Sequence, residues 1–237
     1  MIRGTMADLT LREYDSRVDL DISLAREVAA ALEDAISARG AASLAVSGGK
    51  TPIGMFQQLR QMRMDWSKVW ITLVDDRWLP VDHPDSNERL ARVHLLKYQL
   101  EAAHYVSLHN DAATPEAGLA EVEARLRAIP QPFDVLILGM GEDGHTASLF
   151  PCAAELEDAC APESSQLLTA VNPTSAPYPR ISLTLAAIAR ARNLLVHLTG
   201  ARKKTQFEAA MANPTEKLPI KRVLDAANGI RHVYWAE

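Results

Sequence analysis

Short apolar runs alternate with helix-like stretches along this chain, and that alternation restricts the fold more than any other feature. Residues 43–46 read as a strand followed by a helical stretch at 53–62; 69–74 is followed by 87–100, and 193–198 by 202–211, with a further apolar run at 133–138. Strands separated by helical crossovers predict an α/β fold, a modified Rossmann-like open and mostly parallel sheet flanked by helices on both faces. A long amphipathic helix over 20–39 precedes the first inner strand, and 231–235 is expected to return as a late edge strand. Residues 151–165 and 172–179, rich in proline or acidic side chains, read as loops. No repeat or low-complexity linker divides the sequence, so 1–237 is expected to form one domain. Met6 offers an alternative start, and residues 1–7 are given no structural weight, as a start-site extension or a disordered leader.

At 237 residues the chain can bury roughly 70% of its unfolded surface without disulfide or metal staples. Its two cysteines, Cys152 and Cys160, form no metal spacing and no disulfide framework, which predicts a reduced, cytoplasmic setting. No signal peptide is legible near the start, and the apolar runs are too short to cross a bilayer, so no membrane partner is expected. The formal net charge of −5 argues against a nucleic-acid footprint, because such binding draws most of its affinity from neutralising many phosphates. Any anionic ligand must be met by a local cluster of cations. No apolar stripe stands apart from what the core needs, so a monomer or weak homodimer is expected.

Four unusual segments fall where strands end. Ser47-Gly48-Gly49-Lys50-Thr51-Pro52 follows the first inner strand, Asp75-Asp76-Arg77 the second, Gly139-Met140-Gly141-Glu142-Asp143-Gly144-His145 the third, and Thr199-Gly200-Ala201-Arg202-Lys203 the fourth. In an open parallel sheet those ends share one rim, where ligands bind at the topological switch point. One composite site is a simpler reading than four coincidences.

Each segment has a plainer reading too. The run from Ser47 to Pro52 suits a backbone cradle for phosphate, with proline at the first helical position; an ordinary strand-to-helix turn fits the same residues. It is not a Walker A loop, because the glycine required five positions before Gly49 is Leu44. The glycine turn matches G-x-G-x-x-G, yet Glu142 and Asp143 would set two negative charges beside a pyrophosphate, and the region near Asp158 and Glu163 reads as loop. A nicotinamide enzyme is therefore disfavoured. His145 could be a structural loop residue, but Asp143 stands two positions away, able to orient its ring, and histidine is the side chain whose ordinary pKa suits proton transfer near neutrality. A nucleophilic Cys152 paired with His145 is weaker, since nothing in the sequence lowers the thiol's pKa. Asp75-Asp76-Arg77 reads as a solvated turn or as a ligand contact through arginine's planar fork. Arg180 and Lys203 are ordinary surface cations or the missing positive grip; a lysine near a helix N-terminus is disfavoured unless an anion sits there too.

Together with Ser86-Asn87, residues 138–151 and Pro179-Arg180-Ile181-Ser182-Leu183-Thr184, these segments make the chain resemble the 6-phosphogluconolactonases, in the superfamily shared with glucosamine-6-phosphate isomerases. The resemblance runs from about Leu20 to the C-terminus. It departs at Asp76, where the family usually has glutamate. Isomerases typically carry a catalytic carboxylate five residues after the histidine, where this chain has Phe150, and a tyrosine where it has Arg77. The resemblance therefore implies a carboxylic ester hydrolase acting on 6-phospho-D-glucono-1,5-lactone in the oxidative pentose phosphate pathway, with neither metal nor organic cofactor. It implies His145 as general base, Asp143 as its orienting partner, and Arg77 or nearby N–H groups as oxyanion donors. Ser47, Gly48, Gly49, Lys50 and Thr51 would hold the phosphate with Arg180 and Lys203, and Asp75 with Arg77 the sugar. An isomerase and a phosphosugar-binding module without turnover stand as the alternatives.

Overall fold

The computed structural model of the chain describes residues 9–213 and 215–237; the expectation for residues 1–7 falls outside that range. One seven-stranded sheet carries the fold. Its strands are β1 (Leu9–Tyr14), β2 (Ala42–Val46), β3 (Val69–Leu73), β5 (His104–Tyr105), β6 (Val135–Leu138), β9 (Asn193–Thr199) and β10 (Ile230–Ala236), in the spatial order β1-β10-β9-β6-β2-β3-β5. Every pairing in this sheet is parallel. A second, antiparallel sheet joins β4 (Asp75–Arg77), β8 (Arg180–Leu183) and β7 (Leu168–Val171).

The crossovers are helical. Helix α1 (Arg17–Arg39) is opened by Ser16, whose side chain accepts from the Asp19 amide, and closed by Gly40 in the left-handed conformation, whose N–H reaches Ile36. Leu20, Leu24, Val28 and Leu32, four residues apart, form its buried stripe. Among the described residues the remaining α-helices are α2 (Ile53–Leu59), α3 (Asn87–His94), α4 (Pro115–Leu126), α5 (Leu156–Ala159), α6 (Leu185–Ala189), α7 (Ala201–Ala212) and α8 (Pro219–Ala226). All residues of β2 and β6 are buried, as expected of strands covered on both faces. At the amino ends of the strands Asp134 accepts from the Ser43 amide at 2.9 Å, pairs with Arg39 and lies 3.3 Å from Arg192, tying β2, β6 and β9 together.

Four expectations need correction. Strand β10 is internal, because β1 pairs along its outer side and takes the edge. Asp75-Asp76-Arg77 is a strand rather than a turn, recruited by antiparallel pairing with β8. The helix at 87–100 ends at His94, and a separate 3-10 turn follows at Tyr98–Ala102. Within the loop at 151–165 lies the single-turn helix α5.

The chain runs from β2 outward through β3 and β5, then returns to place β6 on the other side of β2. The switch point of the sheet is thus the gap between the carboxyl ends of β2 and β6. Ser47 and Gly139, the first residues beyond those ends, stand on either side of it.

Candidate active site

A cavity of about 270 Å³ opens at the switch point. Ser47, Gly48, Gly49, Lys50, Thr51, Asp75, Arg77, His145, Arg180 and Lys203 all line it, with Asn87, Met140 and His197 among the residues not foreseen. Four distant stretches of sequence therefore meet on one rim. Asp143 stands behind this lining: its Oδ1 lies 2.5 Å from His145 Nδ1 and accepts from the His145 amide at 3.1 Å.

The local fold explains why the turn is built of glycine. A Cβ on Gly141 would run into the His145 imidazole and into Asp143 Oδ1. The Gly141 amide is bonded to the His145 carbonyl at 2.9 Å, so the loop folds back over the ring. Phe150 stacks on His145, with centroids 4.1 Å apart, and its ring also meets the Arg180 guanidinium at 5.1 Å. On the opposite wall Gly48 is equally constrained, because any side chain there would overlap Asn87. Asn87 in turn donates from Nδ2 to the Asp75 carbonyl at 3.0 Å. Pro52 precedes α2 as its N-cap rather than occupying the first helical position.

Electrostatically the cavity inverts the sign of the molecule. Lys50, Arg77, Arg180 and Lys203 face Asp75, the single carboxylate among the described residues of its lining, on a chain of net charge −5. Arg77 and Arg180 are directly opposed in the β4–β8 ladder, an arrangement that is unfavourable for like charges unless an anion is shared. Both Nε atoms are buried with no hydrogen-bond partner among the described residues. Burial lowers the pKa of Arg180, partly offset by Asp75, and burial also lowers that of Lys203 against the opposing pull of Glu142. These cations are held poorly solvated, which raises their attraction for an incoming anion. Asp75 itself accepts from Ser148 Oγ at 2.5 Å, while the Ser148 amide is held by Ser182.

Asp76 does not line the cavity. It caps α3, accepting from the Asn87 amide at 2.7 Å, the Glu88 amide at 2.9 Å and Ser86 Oγ at 3.2 Å. Burial pushes its pKa up to about 7, although those backbone donors favour the charge. Cys152 is also absent from the lining. Its thiol does have a device that lowers its pKa to about 7, a 3.1 Å contact with Ser175 Oγ, but it sits on an exposed loop.

Asn87 was within reach of sequence reasoning through the Ser86-Asn87 pair. His197 was not, because it sits in the apolar run of β9 and reads there as core.

Geometry of this kind belongs to α/β proteins that take a small anionic ligand at the switch point of the sheet. The family described as glucosamine-6-phosphate isomerases/6-phosphogluconolactonase matches residues 15–235, and the chain belongs to it. It is 44% identical to a 6-phosphogluconolactonase of Mesorhizobium japonicum, over 94% of this chain and 93% of the relative. A 6-phosphogluconolactonase of Neisseria meningitidis is 41% identical over 95% of this chain and 98% of its own. The crystal structure of a 6-phosphogluconolactonase from Shewanella baltica superposes with a TM-score of 0.92 at 41% identity, covering 99% of this chain and all of that one.

Proposed function

We propose that the chain hydrolyses 6-phospho-D-glucono-1,5-lactone to 6-phosphogluconate, within the oxidative pentose phosphate pathway of the cytoplasm. One observation carries the reading: the histidine of a histidine–carboxylate pair and a cluster of under-solvated cations share a single small cavity. His145 is the general base. A carboxylate only accepts, so the Asp143 contact assigns the hydrogen to Nδ1 and leaves the Nε2 lone pair to take a proton from water as it attacks the lactone carbonyl. The same proton is then returned to the departing ring oxygen. Arg77, whose Nη1 donates to the Asp85 carbonyl at 2.5 Å, keeps other guanidinium donors for the carbonyl oxyanion or the sugar hydroxyls, beside Asp75. The backbone of Ser47, Gly48 and Gly49, with Lys50, Thr51, Arg180 and Lys203, holds the phosphate.

Phe150 argues against the isomerase alternative. It packs flat on His145 where the resemblance places a second carboxylate in isomerases, so the proton relay for enolisation has no acid at that point. In a pH-stat assay the protein is expected to accelerate acid release from the lactone well beyond spontaneous hydrolysis, and His145→Ala to lose roughly 10²- to 10⁴-fold of that acceleration. A folded protein giving only the spontaneous rate would mark a binding module without turnover.

A further inference from the structure

His197 is the one imidazole of β9, and its neighbours in the strand are aliphatic. It is 3% exposed and lines the cavity beside Lys203, and its Nδ1 is buried with no hydrogen-bond partner among the described residues. Its Nε2 lies 3.6 Å from Asp21 Oδ1. Asp21 belongs to α1 and also receives the Met55 amide at the start of α2. A buried polar atom left without a partner, on a residue that lines a cationic cavity, is costly for a fold to keep unless a ligand completes it.

We propose that His197 is a further phosphate ligand, donating from Nδ1 to the 6-phosphate while Asp21 receives Nε2–H, so that the site takes up one proton from solvent when the dianion binds. The inference rests on the phosphate placement proposed above. With phosphate bound, both ring nitrogens would have acceptors, Asp21 at Nε2 and a phosphate oxygen at Nδ1. Only the imidazolium can donate to both. Without phosphate, burial and the neighbouring Lys203 hold the pKa down to about 4, so the ring is neutral. The charged groups around it are Asp21 from α1, whose own pKa burial raises to about 6, Lys203 from α7, and Lys50, Arg180 and His145 in the cavity lining. The adjacent strand β10 places Tyr234 beside it in register, with its hydroxyl occupied by Arg12.

Calorimetry of 6-phosphogluconate and of inorganic phosphate at pH 7.5, in buffers of differing ionisation enthalpy, tests this. The unmodified protein is expected to take up close to one proton per 6-phosphogluconate, and less per inorganic phosphate because the fraction that is monoanionic at this pH supplies a proton of its own; His197→Asn is expected to lower both uptakes by close to one proton, and its affinity for both ligands to fall about ten- to a hundredfold. Asp21→Asn keeps the hydrogen bond to Met55 while removing the charge, and is expected to reduce proton uptake without abolishing binding. Equal affinity and equal uptake in the unmodified protein and His197→Asn would overturn the proposal. Should His197→Asn not fold, absence of uptake in the unmodified protein would overturn it equally. Lys203→Ala separates the two levels. If it weakens phosphate binding while His197→Asn does not, only the role of His197 fails; if neither matters, the phosphate placement fails with it.

Discussion

His145 and Asp143 illustrate how much depends on one contact. Asp143→Asn can still reach Nδ1, but through an amide that can equally present its NH₂ group to the ring and so stabilise the wrong tautomer. It is expected to lower kcat with little change in KM, measured in the same pH-stat assay. On the phosphate placement proposed above, the cations should act on the other parameter: Arg180→Ala and Lys203→Ala are each expected to reduce kcat/KM about ten- to a hundredfold, mostly through KM, since a charged hydrogen bond to phosphate would be lost in the ground and transition states alike. Cys152 and Cys160 provide a contrast outside the site. Ser175 lowers the Cys152 pKa to about 7, whereas burial raises that of Cys160 to about 11. Alkylation near neutral pH should therefore mark Cys152 alone, as read by peptide mass, and leave turnover intact. Loss of turnover in step with labelling would bring Cys152 back into the chemistry.

Among the strands and loops, the glycine turn was legible in advance because its composition is so unusual, and the structure supplies the reason in the space taken by the His145 ring. The small sheet was not legible. Asp75-Asp76-Arg77 is too short and too charged to read as a strand, and it becomes one only because β8, more than a hundred residues later, pairs with it. Nor could spacing separate the roles of the two adjacent aspartates, since alternation along β4 sends Asp75 to the cavity and Asp76 to the end of α3. Asp76→Ala would leave two buried amides without their acceptor. It is expected to cost about 2 to 3 kcal/mol in urea denaturation, and to disturb catalysis only through Asn87. A loss below 0.5 kcal/mol would show that Ser86 alone caps the helix.

For the molecule as a whole, alternating strands and helices sufficed to anticipate the parallel sheet, and the switch point gathered the motifs that sequence had left scattered. Polar groups buried among aliphatic ones were the part out of reach, His197 above all, because hydrophobic patterning records what a strand position excludes and not which cavity it borders. Their titration should leave a mark on stability. His197 has a folded-state pKa of about 4 against an ordinary 6.5, so between those values the unfolded chain binds more protons and this residue's contribution to stability falls as the solution is acidified. Relative to His197→Asn, the unmodified protein is expected to lose roughly 2 to 4 kcal/mol between pH 7 and pH 4, read from paired urea titrations; a constant difference would place the ring in solvent. Asp21 and Asp76, whose pKa values burial raises to about 6 and about 7, act in the opposite sense over the same range, so the paired comparison is needed to isolate the histidine. The convergence of the four strand ends on one substrate is best examined by a crystal structure with bound 6-phosphogluconate. Its phosphate is expected among Ser47, Gly48, Gly49, Arg180 and Lys203, with the C1 carboxylate about 3 Å from His145 Nε2; a product bound in the reverse orientation, or with C1 remote from His145, would contradict the mechanism.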